Sequence, residues 1–182
     1  MKKPIVIAVA AVSGGGKTTV INELNRRLPL AKSIYFDDYD FEKCPGDFFE
    51  WVQSGADYNA WNIEKLANDI DLLLAQTNLN YILLDYPFAY KNNQVASYID
   101  YAIFIDTPLD IAMARRILRD MINQSSNLLQ DDLNCYLSHG RIAYLEMIKT
   151  IRPNSDIVVN GSLSIDDIVC NIMQQISKIY KY

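Results

Sequence analysis

Ala11-Val-Ser-Gly-Gly-Gly-Lys-Thr-Thr19 is the stretch on which the reading of this chain turns. Three successive glycines let the backbone curl until several N–H groups converge on one anion. A helix beginning at Lys17 adds its N-terminal amides and the positive end of its dipole. In that setting Ser13, Gly14, Gly15, Gly16 and Thr19 cradle phosphates, Lys17 reaches the β- and γ-phosphates of a nucleotide, and Thr18 sets its hydroxyl on Mg²⁺. Ala11 stands where such loops usually begin with glycine, a position that asks for a small residue more than for an unusual φ. The flanks support the motif. Upstream, Ile5-Val-Ile-Ala-Val-Ala-Ala-Val12 is a continuous apolar run, as in a strand buried on both faces of a parallel sheet. Downstream, Val20, Ile21, Leu24 and Leu28 recur at helical spacing until Pro29 stops the helix. A flexible glycine linker would need neither flank.

Further strand-like runs alternate with helical patterns. Residues 33–36 read as a second strand ending in Asp37-Asp38, 81–84 as a third ending at Asp85, 101–105 as a fourth ending at Asp106, and 157–159 as a fifth followed by Asn160-Gly161. Helices are expected over about 62–75, over 108–123 with Thr107 as cap and Pro108 in first place, over about 131–151, and from Ser164 with Asp167 as capping-box acid. The polar segment 123–132 reads as a mobile surface loop. This alternation specifies an α/β domain around a parallel sheet, with ligands gathering beyond the carboxyl ends of its strands.

A length of 182 residues suits a single domain spanning 1–182. The 22 acidic residues outnumber the 17 basic ones, which argues against a nucleic-acid partner and leaves small anions open. Cys44, Cys135 and Cys170 are widely spaced, with no Cys-x-x-Cys, and read as plain thiols in a reducing compartment. His139, the only histidine, reads as a solvated residue and excludes a histidine-based metal site. Met1-Lys-Lys before the apolar run imitates a secretory signal, but cleavage there would remove the strand that feeds the glycine loop. The chain therefore reads as cytoplasmic, without a membrane partner. A homo-oligomer stays open.

Several side chains carry candidate chemistry. Asp85 follows four apolar or aromatic residues and would hold Mg²⁺ directly or through water, unless it caps the next loop. Asp37 and Asp38 lie where an acceptor would approach the γ-phosphate, and a carboxylate there can take a hydroxyl proton. Adjacent acids are equally at home in turns. Arg115 and Arg119 share a helix face, with Arg116 beside Arg119. Their planar forks would stabilise a migrating phosphoryl group, or else they form a solvated basic face that Asp120 partly neutralises. Phe48, Phe49, Trp51, Tyr58 and Trp61 cluster before the third helical pattern. Some belong to the core, while Asp57, Tyr58 and Trp61 with the neighbouring asparagines could line a pocket for a planar ring and sugar.

With these positions in view, most of the chain resembles the P-loop kinases of the uridine kinase, nicotinamide riboside kinase and phosphoribulokinase group. Asp37-Asp38-Tyr39 after the second strand is similar to the segment whose first acid is the family's catalytic base, which implies that role for Asp37 and an acceptor contact for Asp38. Asp106-Thr107 followed by Arg115-Arg116-Ile-Leu-Arg119-Asp120 closely matches the family's lid signature. It implies a lid over about 108–135, Arg115 on the nucleotide, and Arg116 and Arg119 beside Lys17 in catalysis. Asp57 and Trp61-Asn62 resemble the ribose-contacting segment, and Asn160-Gly161 the loop near adenine. Three features depart from the pattern. Asp85-Tyr86-Pro87 replaces glutamate-glycine, the Arg-Gly-Arg after the lid helix is missing, and there is little room for a β-hairpin around a base. The resemblance implies a three-layer P-loop NTPase domain with a five-stranded parallel sheet and a helical lid. It implies ATP and Mg²⁺ as cofactors, and transfer of the γ-phosphoryl group to a hydroxyl of a nucleoside-like small-molecule acceptor, uridine or cytidine foremost. The alternatives are an ATPase that drives a partner and a nucleotide-binding regulatory protein without kinase activity. The lack of Asn-Lys-x-Asp, and of Asp-x-x-Gly after the third strand, counts against a GTPase switch.

Overall fold

The computed structural model describes residues 3–41 and 44–179, so Met1 and Lys2 of the signal-like start lie outside the described residues. Its strands are β1 (Ile5–Ala10), β2 (Ala31–Tyr35), β3 (Tyr81–Asp85), β4 (Tyr101–Asp106) and β5 (Ile157–Asn160). All pair in parallel, in the order β2-β3-β1-β4-β5. The expected five-stranded parallel sheet is therefore present, with β1 at its centre and every β1 residue buried.

Alternation along β1 splits the core into two layers, because successive side chains leave opposite faces of a strand. Ile5, Ile7 and Val9 pack with Val20, Ile21 and Leu24 of α1 (Lys17–Arg27), and with Ile168, Val169 and Ile172 of α8 (Ile165–Ile179). Val6, Ala8 and Ala10 face Leu66 and Ile70 of α3 (Glu64–Leu74), together with Trp51 of α2 (Phe48–Gln53), Tyr58 and Trp61. Both faces of the sheet are thus covered, which explains why the first strand reads as an unbroken apolar run. The short α4 (Asn93–Ala96) lies between β3 and β4. The register sets Val9, Tyr35 and Asp85 side by side at the carboxyl edge, and Asp106 beside Asn160.

Two expectations about the segment after β4 are corrected. The helix there, α5, runs Leu109–Asp120 and not to residue 123; Pro108, at φ −50° and ψ 138°, is its flanking cap residue and not its first turn. Thr107 does not cap it. Its hydroxyl donates to the Gly15 carbonyl at 2.9 Å and ties the end of β4 to the glycine loop. Residues 123–132 do not form a loop throughout, because α6 spans Ser126–Cys135. The Ser125 hydroxyl caps it, accepting the Leu128 N–H at 3.3 Å. Half-buried residues 129, 132, 133, 136 and 140 recur at helical spacing, a periodicity hidden by the polar composition around them. A π-helical turn (Tyr136–Gly140) then joins α6 to α7 (Arg141–Thr150), interrupting what reads in sequence as one long helix. At the start of α8 Ser164 caps the helix as expected, its hydroxyl accepting the Asp167 N–H at 3.2 Å; the Asp167 carboxylate accepts that hydroxyl at 2.7 Å in place of the backbone N–H of a full capping box. Among the described residues no helix is long and apolar enough to cross a membrane.

Candidate active site

The loop between β1 and α1 turns through a Gly15 N–H to Val12 carbonyl bond of 2.9 Å. Gly16 is the cap residue of α1 in the left-handed region, φ 98°, and no side chain caps that helix end, so it stays open to an anion. Gly14 also has positive φ, and a β-carbon there would sit 2.0 Å from the Ala112 carbonyl oxygen. Helix α5 therefore lies backbone against backbone on the loop.

Asp85 ends β3 almost fully buried, at 3 % exposure. Its Oδ2 accepts the Thr18 hydroxyl at 2.6 Å. Its Oδ1 makes no hydrogen bond and faces the Lys17 Nζ at 3.2 Å. The Asp85 carboxylate is thus turned to the loop and does not cap the residues that follow it. A hydroxyl and a buried carboxylate with one oxygen free of hydrogen bonds are the hard oxygen donors that suit Mg²⁺, which takes its other ligands from water and phosphate. No group of three or more His, Cys, Asp or Glu among the described residues could cage a cation without such help.

A cleft of about 840 Å³ runs from this point, bordered by Ser13, Gly14, Gly16, Lys17, Thr18 and Thr19 at one end. Asp37 borders it from a single 3₁₀ turn (Phe36–Asp38) after β2. Asp38 is also exposed but is not part of the cleft wall. Arg115, Arg116 and Arg119 all line the cleft, with the Arg119 side chain still 60 % exposed. Arg115 Nη1 donates to the Gly161 carbonyl at 3.2 Å. Arg116 forks onto Asp132, and Arg119 pairs with Asp120 at 2.6 and 2.8 Å. The hydrogen bonds that Arg119 donates to the Asp120 carboxylate raise its pKa above the ordinary value, and the nearby Asp37 charge acts in the same direction. Burial opposes the charge of Arg116, but the hydrogen bonds to Asp132, with the charges of Tyr144, Asp132 and Asp120, together outweigh it, so that pKa is raised too.

An aromatic wall closes the far end. Phe36, Phe48, Trp51, Tyr58, Trp61 and Phe88 line it, with Trp51 and Trp61 edge to face at 5.0 Å and Trp61 and Phe88 tilted by 53° at 4.8 Å. The polar tips of two of these rings are already spent. Trp51 Nε1 donates to the Asp57 carbonyl at 2.9 Å, and the Tyr58 hydroxyl meets Thr150 Oγ1 at 2.8 Å. Burial pushes the Tyr58 phenol up to about 12. Tyr58 and Trp61 therefore reach the cleft, whereas Asp57 does not: its carboxylate accepts the backbone N–H and Nδ2 of Asn59 at 2.9 and 3.1 Å. Asn160 likewise turns away, its Oδ1 accepting from the N–H and hydroxyl of Ser162. Gly161 meets the site only through Arg115. Sequence reasoning missed the contributions of Asp132, Cys135, Tyr136, Tyr144 and Met147, which come from α6, the π turn and α7. Burial raises the Tyr144 phenol, with Ser13 and Arg116 opposing. The pattern that could have found this wall is the i, i+4, i+8 row of Asp132, Tyr136 and Gly140.

No family model matches the chain. A uridine kinase of Clostridium tetani (strain Massachusetts / E88) is 25 % identical over 206 aligned residues, covering 97 % of this chain and 98 % of that protein. This chain is a distant, full-length homologue of the uridine kinases. A uridine kinase of Streptococcus equi subsp. zooepidemicus (strain MGCS10565) is 26 % identical over 189 residues, 90 % of each chain. The fold is also that of a sugar kinase from Janibacter sp. HTCC2649, at a TM-score of 0.59 and 15 % identity, covering 96 % of this chain and 95 % of that one. Sheet order, loop and relatives together place the chain among P-loop small-molecule kinases.

Proposed function

We propose that this protein is an ATP-dependent kinase that passes the γ-phosphoryl group of MgATP to a hydroxyl of a small acceptor, a nucleoside such as uridine or cytidine foremost. The observation that carries the reading is the meeting of Lys17 and Thr18 on the buried Asp85 carboxylate, at 3.2 and 2.6 Å, with both residues lining a cleft that also holds Asp37 and three arginines. The glycine loop binds the phosphates through backbone amides and Lys17. Thr18 and Asp85 would hold Mg²⁺, which when bound neutralises charge on the β- and γ-phosphates. Asp37 accepts the proton of the attacking hydroxyl late in transfer. Arg116 and Arg119, from a lid formed by α5 and α6, stabilise the phosphoryl group in flight. Phe48, 49 % exposed and backed by Trp61 at 6.4 Å, offers a ring face on which a base can stack. The names of the relatives favour a nucleoside, and the aromatic wall agrees with them.

ATP consumption measured alone and with a panel of nucleosides, hexoses and small polyols tests the reading. Consumption that depends on one acceptor class is expected. Turnover indifferent to every acceptor would make the protein an ATPase, and tight ATP binding without turnover a regulatory binder.

A further inference from the structure

Arg116 leaves α5 directly over the phosphate-binding loop. Its Cβ lies 3.2 Å from where a side chain at Gly14 would begin, and the Ala112 carbonyl of the same helix is closer still. The root of this arginine is therefore fixed by backbone packing, and only the end of a long, rotatable side chain remains to be set. Asp132 sets it. Nη1 meets Oδ1 at 3.0 Å and Nη2 meets Oδ2 at 2.5 Å, a two-point fork that fixes the guanidinium plane as well as its distance. Both side chains border the cleft and are mostly buried, at 15 % and 19 % exposure. Among the described residues, buried Nε has no hydrogen-bond partner, and the only other hydrogen bond of the head goes to the Met113 sulfur, 3.6 Å from Nη2. Without Asp132, nothing of comparable strength would keep the head in the cleft. Each terminal nitrogen keeps a second hydrogen, so the paired guanidinium can still donate to an anion. Lys17, Arg115 and Arg119 supply positive charge to the same cleft, so what Arg116 adds is direction.

Building on the kinase reading above, we propose that Asp132 is a positioning residue that holds the Arg116 guanidinium for the phosphoryl group in transfer. It acts through Arg116 and touches neither nucleotide nor acceptor. The pair also links α6 to the loop through α5, so the α6 segment enters the chemistry through one carboxylate.

The test compares the parent, Asp132→Asn, Asp132→Glu, Arg116→Ala and the double variant Arg116→Ala/Asp132→Asn. Two quantities are read: kcat and KM for ATP with the best acceptor, and affinity for MgADP with aluminium fluoride, a mimic of the phosphoryl group in flight. Asp132→Asn should lower kcat and mimic affinity by about tenfold, the usual order for a group that only orients a charged partner, while KM for ATP stays within about twofold. Asp132→Glu, which keeps a carboxylate able to fork, should recover most of the loss. In the Arg116→Ala background Asp132→Asn should add nothing. A further loss there would show that Asp132 acts on its own, and a rise in activity or ATP affinity on Asp132→Asn would show that it masks Arg116. Either result, or unchanged kinetics, overturns the proposal while leaving the kinase reading intact. Conversely, a parent that phosphorylates no acceptor but shows the expected mimic affinities would sink the kinase reading and keep the positioning role.

Discussion

Lys17 and Thr18 converge on a single carboxylate, and that geometry separates two kinds of loss. Lys17→Ala should weaken MgATP binding and turnover together, since it removes charge from the β- and γ-phosphates. Asp85→Asn keeps a hydrogen-bond acceptor for Thr18 but removes the charge a cation needs. Its ATP affinity should fall in the presence of Mg²⁺ and hold in EDTA. Nucleotide titrations with and without Mg²⁺ read both, and a Lys17→Ala protein that binds ATP normally would end the phosphate-loop reading. Asp37→Asn separates chemistry from binding: transfer to the acceptor should fall by about 10²–10⁴-fold, the usual worth of a general base, with MgATP affinity unchanged. Acceptor phosphorylation beside ATP affinity is the measurement. Unchanged transfer would move the base elsewhere, Asp38 being the first candidate. At this scale Lys17, Thr18 and Asp85 were readable because motif and strand end place them. Asp57 and Asp132 were not, since what decides their roles is a partner: the neighbouring Asn59 amide in one case and Arg116 from another helix in the other.

Helix α5 is the element that joins binding to catalysis, because its Ala112 carbonyl lies against Gly14 and leaves no room for a methyl group. Gly14→Ala should therefore push α5 off the loop as well as strain a backbone at φ 77°. We expect a loss of about 1–3 kcal/mol of stability, the range for overpacking, together with weaker nucleotide binding. Chemical denaturation and ATP titration of one preparation check both, and a variant that keeps full stability would mean that the close contact relaxes freely. The hydrophobic runs made α1 and α3 legible, for each has an apolar stripe against the sheet. The α6 segment shows the limit of that signal. Its half-buried stripe contains Asp132 beside Leu129 and Leu133, so polarity, normally a mark of solvent, here marks a side chain paired across to Arg116.

Across the whole molecule the alternation of apolar runs and helical periods was enough for the parallel sheet, since strands buried on both faces admit few arrangements. What the pattern could not carry is how polar tips are satisfied once layers close, and the tyrosines show this. Burial raises the phenols of Tyr39, Tyr58, Tyr86 and Tyr90; carboxylates add to the effect at Tyr39 through Asp69 and at Tyr90 through Asp156. A phenol whose folded pKa exceeds its unfolded value of about 10 favours the folded state fully below pH 10. Above that, the unfolded chain releases a proton that the folded one keeps, and stability falls as pH rises toward the folded value. For Tyr58 the window runs from about 10 to about 12. Urea midpoints between about pH 8 and pH 11.5 should therefore drop steeply in the upper half of that range for the parent. Tyr58→Phe gives up the hydroxyl contact with Thr150, so it should be somewhat weaker at neutral pH, yet its midpoint should fall less between pH 10 and 11.5. Parallel curves for the two proteins would mean that Tyr58 does not bear on alkaline unfolding, and that other titrating groups carry the slope.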